Sequence, residues 1–237
     1  MMMGKLLAAD FLKIRKKMIW FLIFLAPVGV VSLQAVNYGL RYDYLMKTTE
    51  ADRWGGLLGG IHFLLTPALL LGIAIIASMV ANIEHQMNAW KQLLALPIPR
   101  TSVYAAKFAL VALLLSVSCI LLGIGTVLLG TMLDLGDKVP LAEVVKLAFY
   151  PFAASLPVLA LQLWMSLTIH NQAIPLTVGI AGSIVSMFVT LPAWVVWSWP
   201  TLINEAGKPE YSVGAGLVVG IGLLLLGMID FMRRDVN

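Results

Sequence analysis

The residues whose types and spacing could do chemistry gather between Glu84 and Lys107, in the run EHQMNAWKQLLALPIPRTSVYAAK. Glu84, Arg100 and Lys107 bring one carboxylate and two cations to that run, enough for an ion pair or a polar gate but not for acid–base catalysis. Read as a helix, residues 87–96 set Met87, Trp90, Leu93 and Leu94 on one face, with Asn88 and Gln92 opposite. Pro97 and Pro99 end that helix, because proline lacks the N–H that would continue the ladder. Thr101 or Ser102 can then cap the next helix. Two uses are open to a short amphipathic helix with one large aromatic. It can lie in the lipid interface with Trp90 at headgroup depth, or it can fill a groove on a cytosolic partner, as helices with an aromatic anchor and aliphatic neighbours do.

Little else in the chain is equipped for reaction. The G-x-x-x-x-G-K-[ST] loop that cradles nucleotide phosphates is missing, since Gly4-Lys5 and Gly207-Lys208 lack both the upstream Gly and the following Ser or Thr. No nucleophile, base and orienting acid occur together, and no His or Cys spacing marks a metal site. Cys119, the one cysteine, falls in an apolar run and reads as a small filler. The sequence predicts no enzyme, no resident cofactor and no metal.

The elements that must position the Glu84–Lys107 run are membrane spans. Hydrophobic residues make up 60% of the 237 and charged ones only 12%, with mean hydropathy +0.93, which excludes an ordinary soluble domain. A span needs about 20 mostly apolar residues. The pattern predicts an all-α polytopic membrane protein, one membrane domain over 1–237, with six spans at about 18–36, 57–81, 103–133, 145–169, 174–197 and 213–229. Asn37 to Gly56 reads as a short connection. Gly55, Gly56, Gly59 and Gly60 open the second span as small residues that let another helix approach. Prolines 27, 67, 157, 175 and 192 predict kinked or broken helices.

An even number of spans puts both termini on one side of the membrane. The segments on that side hold 10 Lys and Arg against 4 Asp and Glu, a net +6; those on the other hold 6 against 8, a net −2. The Lys/Arg bias predicts both termini in the cytoplasm. The overall charge of +4 therefore reflects topology and gives no ground for nucleic-acid binding. Before the first span, Leu7, Phe11, Ile14 and Met18 share a helical face away from Lys13, Lys16 and Lys17, which predicts an interfacial amphipathic helix on membrane lipid. Trp194, Trp197 and Trp199 lie together near the outer end of the fifth span. They read as an aromatic belt, with a hinged outer gate as the sharper alternative.

The run Glu84, Met87, Trp90-Lys91, Leu93-Leu94, Leu96-Pro97-Ile98, Arg100, Tyr104 and Lys107 resembles the permeases of the type-2 ATP-binding-cassette exporter class, and its wording is similar to the lantibiotic-immunity and bacitracin-resistance branch. The resemblance implies a coupling helix between spans 2 and 3 made by Met87, Trp90, Leu93, Leu94, Leu96 and Pro97, with Glu84 at the gate end of span 2 near Arg100 or Lys107. It implies two copies of a separate cytosolic ATPase, which would bind the ATP and magnesium, and a second permease subunit, identical or paralogous, in a bacterial cell membrane.

The resemblance to that branch implies export that expels an antimicrobial peptide, and spans without buried mid-membrane charge suit such an amphiphilic cargo. A lipid or hydrophobic drug satisfies the same condition. A secondary carrier would need intramembrane ionisable groups, which the span centres lack. A non-transporting scaffold would use the hairpin only to dock a partner.

Overall fold

Inside hydrocarbon, only a helix satisfies every backbone N–H and C=O within one segment. In a computed structural model of the protein, which describes residues 2–86, 99–136, 138–189 and 191–233, the apolar runs are helical and no described residue lies in a strand. The order is α1 (Met2–Ile14), α2 (Ile19–Thr48), α3 (Arg53–Gln86), α4 (Arg100–Met132), α5 (Leu141–Ala154), α6 (Leu156–Thr168), α7 (Ala173–Phe188), a single 3₁₀ turn (Trp199–Thr201) and α8 (Pro209–Arg233). Among the described residues α2, α3, α4 and α8 are each long and apolar enough to cross a membrane, and α5 with α6 makes a fifth span if that bent pair is counted as one.

Three boundaries differ from the sequence reading. No proline interrupts residues 28–66, so α2 continues through 37–48 instead of stopping at Val36; Arg41 takes up a kink with non-helical backbone angles. The turn to α3 is only residues 49–52, where Thr49 Oγ1 donates to the Leu45 carbonyl at 2.8 Å and Asp52 Oδ1 accepts the Gly55 N–H at 2.8 Å. The stretch 145–169 breaks at Ser155 with a 44° bend. Pro157, just beyond, has no N–H to offer the Ala153 carbonyl four residues back, and buried Ser155 Oγ donates to the Phe152 carbonyl at 2.8 Å. The stretch 174–197 yields a helix of only 16 residues, α7, followed by turns. At 1.5 Å per residue α7 is about 24 Å long, short of a core of about 30 Å.

Helix α3 is the hub, packing against α2, α4, α6 and α7, with Leu57, Ile61, Ile73, Ala77 and Ala81 along it buried. Small residues let the other helices approach. A Cβ on Gly179 of α7 would run into Ala74 of α3, and Ser183 Oγ donates to the Pro67 carbonyl at 3.0 Å. On α8, a Cβ on Gly216 would stand 2.6 Å from the Ala153 carbonyl oxygen, and one on Gly220 would stand 2.8 Å from Leu156 Cβ. This small-xxx-small pair seats α8 on the bare backbone of the α5–α6 break.

Candidate functional site

The buried charges collect at one end of the helix bundle, where α1 crosses the last turns of α3 and the first turns of α4. Glu84 is fully buried, Lys107 is 2% exposed and Asp10 is 5% exposed. Lys107 Nζ donates to Glu84 Oε1 at 2.5 Å and to Asp10 Oδ1 at 2.6 Å. Lys13 Nζ, half-buried, donates to the same Glu84 oxygen at 2.7 Å and lies 3.8 Å from Asp10 Oδ1. Two carboxylates and two ammonium groups balance formally, which is what burial of charge requires.

The helices fix these side chains by register. Asp10 and Lys13 stand three residues apart on one face of α1, and Ile14, one turn on from Asp10, is buried in the core and pins that face inward. Leu7 and Phe11 also pack against the core, so the apolar face of α1 meets protein as well as surroundings. Glu84 closes α3 within its last turn, and Lys107 points back from the second turn of α4. The network therefore clamps both ends of the interval that holds residues 87–98. Glu84 Oε2 is buried and accepts no hydrogen bond among the described residues; a carboxylate has acceptor capacity on both oxygens.

The structure brings Glu84 and Lys107 together but not Arg100, whose guanidinium donates instead to the Met232 carbonyl of α8 at 3.4 Å. The proposed coupling residues Met87, Trp90, Leu93, Leu94, Leu96 and Pro97 lie outside the described residues. Next to Glu84, His85 Nε2 donates to the Ser166 carbonyl at 3.1 Å, and its ring meets His170 edge-on with centroids 4.9 Å apart, which ties the end of α3 to the α6–α7 turn. Asp230, near the end of α8, accepts the Trp164 indole N–H at 2.9 Å and so joins α8 to α6.

At the opposite end, the residues after α7 fold back onto α3. His62 Nε2 donates to the Thr201 carbonyl at 3.0 Å, and Trp199 Nε1 donates to the Ala193 carbonyl at 2.7 Å. The Trp197 ring fills the space where a Gly182 side chain would be, while Trp194 is 79% exposed. Leu202 takes a left-handed backbone, φ 60°, to end the 3₁₀ turn, a conformation costing roughly 1–2 kcal/mol for a residue with a Cβ. The three tryptophans thus occupy different settings within one folded-back segment. Among the described residues no group of three or more His, Cys, Asp or Glu could hold a metal ion.

An all-helical bundle of long apolar spans, tied at one end by buried ion pairs, defines a polytopic membrane protein. Its family follows from the sequence: a family model described as ABC-2 family transporter protein matches residues 6–186, and the chain belongs to that family. The match begins in α1 and ends in α7, so it takes in the whole ion network. No curated protein and no solved structure matches the chain. A permease of the ABC-2 family is a membrane-embedded transport subunit.

Proposed function

We propose that the chain is the membrane-spanning permease of an ATP-driven exporter that expels antimicrobial peptides of the lantibiotic or bacitracin type. The observation that carries the transport reading is the buried network Asp10–Lys107–Glu84–Lys13, which makes α1, α3 and α4 one unit around residues 87–98 in a chain of the ABC-2 family. A push delivered to that interval by a partner is transmitted to two spans at once, because the clamp leaves neither helix end free to yield. Met87, Trp90, Leu93, Leu94, Leu96 and Pro97 form the coupling helix, and the partner is a cytosolic ABC ATPase dimer that binds the ATP and magnesium. Glu84 Oε2 offers an acceptor to a donor from that interval or from Arg100 as the pair of helices shifts.

The full assembly contains a second permease subunit, a copy or a paralogue, in a bacterial cell membrane with both termini cytoplasmic. Six passages result if α7 and the residues after it together make the fifth. Contact of the following turn with His62 near the start of α3 supports that reading. Trp194, Trp197 and Trp199 would then belong to an outer gate. The amphiphilic cargo fits spans in which the buried polar side chains away from the ion network are neutral ones such as Gln162, whose Nε2 donates to the Pro175 carbonyl at 2.7 Å.

The test expresses the chain with its ATPase in a peptide-sensitive bacterium. Wild-type protein raises the tolerated dose of a lantibiotic or of bacitracin, whereas Trp90→Asp and Leu94→Asp abolish both protection and ATPase capture while the protein still inserts. Unchanged peptide sensitivity in cells that hold the assembled complex would remove the peptide cargo. Retained ATPase binding in both variants would remove the coupling helix.

A further inference from the structure

We propose that the cleft between α2, α3 and α4 is a binding site for one acyl chain of an anionic phospholipid whose phosphate is held by Arg15, Lys16 and Lys17. The site has two parts, and the geometry of α2 joins them. The first part is the turn between α1 and α2, where three consecutive cationic residues are all exposed. None of the ion pairs among the described residues involves Arg15, Lys16 or Lys17. Lys13 two residues earlier is spent on Glu84, so the chain separates a half-buried structural cation from an exposed basic triplet within one turn.

The second part is a cavity of about 220 Å³ whose walls are almost wholly apolar. Leu22 and Ala26 of α2, Ala68 and Gly72 of α3, and Leu115 and Ser118 of α4 surround it. Gly72 leaves room that a larger side chain would take, since a Cβ there meets only Leu115 Cδ2, at 3.7 Å. On the open side, Leu22 and Ala26 are half-buried and Leu25 is 48% exposed, so the cavity is entered from the flank of the bundle and not from its ends.

Helical spacing links the two parts. Met18, Leu22, Leu25 and Ala26 fall at i, i+4, i+7 and i+8, one stripe that leads from the basic turn into the cleft. Met18 on that stripe is 63% exposed. At 1.5 Å per residue the cleft residues Leu22 to Val30 lie from about 7.5 to about 20 Å beyond Lys17 along α2. One leaflet contributes about 15 Å of hydrocarbon, half of a core of about 30 Å. A phosphate at the turn therefore places its own acyl chain at the depth of the cleft. Basic residues beside a membrane surface favour anionic lipid, and a hollow so nearly apolar, facing hydrocarbon, offers too few polar partners to hold water.

The test uses the full chain, delipidated in mild detergent, with occupancy read by native mass spectrometry. Dioleoyl phosphatidylglycerol should stay bound, while dioleoyl phosphatidylcholine and the short-chain dihexanoyl phosphatidylglycerol bind far more weakly. The combined variant Arg15→Gln, Lys16→Gln, Lys17→Gln should lose on the order of 100-fold in its preference for phosphatidylglycerol over phosphatidylcholine. Ala26→Phe, which fills the cleft, should lower dioleoyl phosphatidylglycerol binding to the short-chain level with the basic turn intact. Equal binding of the two dioleoyl lipids, or an unchanged preference in the triple variant, would overturn the headgroup assignment. Equal binding of long and short chains by the wild-type protein would overturn the cleft assignment, even if Ala26→Phe failed to fold.

Discussion

Glu84 shares one oxygen between two ammonium groups in a place water does not reach, and the energetic consequence is asymmetric. Removing one partner of a buried pair strands the other and costs about 3–5 kcal/mol, whereas replacing both by apolar residues of similar size is often close to neutral. Lys107→Met should therefore destabilise the purified protein by several kcal/mol in detergent unfolding, and adding Glu84→Gln and Asp10→Asn should recover part of the loss. Lys146→Met breaks only the exposed pair with Glu143, and such pairs contribute about 0–1 kcal/mol. If Lys107→Met proved no more costly than Lys146→Met, the buried network would not be holding α1 to the hairpin. From sequence, Glu84 and Lys107 stood out because they border a polar interlude between apolar runs. Asp10 and Lys13 did not, since the wheel of α1 set its lysines aside as a solvated face, and Asp10 lies 97 residues from the lysine it meets.

Among the helices, the break between α5 and α6 and the glycines of α8 form one device. Gly220 lies where a Cβ would be 2.8 Å from Leu156 Cβ and 3.2 Å from the Pro157 backbone nitrogen, and backbone cannot swing aside. Gly220→Val should overpack that seam and cost about 1–3 kcal/mol. Gly222→Ala, with nothing within 4 Å of the added Cβ, should be neutral or stabilising by up to about 1 kcal/mol. Equal stability of the two variants, compared by thermal unfolding in the same detergent, would contradict close packing of α8 on the break. The prolines announced kinked or broken helices in the sequence; Pro157 lies just beyond the bend at Ser155, whereas α2 and α3 run on through Pro27 and Pro67. Which glycines are contacts was not legible, because hydropathy does not say which face of an all-apolar helix meets a neighbour. Of the four glycines that open the second expected span, Gly60 meets Gln34 of α2, whereas a side chain on Gly55 or Gly56 would meet only the preceding turn, at Asp52 and Thr49.

For the whole molecule, composition pointed to a membrane protein, and the length of the apolar runs pointed to helical spans. The span count was harder to read: a hydropathy run measures apolar length, and residues 174–197 are mostly apolar while, among the described ones, the helix ends at Phe188. The interval proposed to meet the partner stands out in the sequence as a pattern of Trp90, leucines and prolines, and it falls within the residues that the family model matches. Everything in the transport reading depends on a second chain meeting that interval. The measurement that tests it most directly is purification of the tagged protein from its native membrane in mild detergent, with identification of co-purifying chains by mass spectrometry. A cytosolic ABC ATPase in stoichiometric amount, with or without a second permease, is the expected result. Recovery of the intact protein without any ATPase, even after gentle crosslinking in the cell, would contradict it.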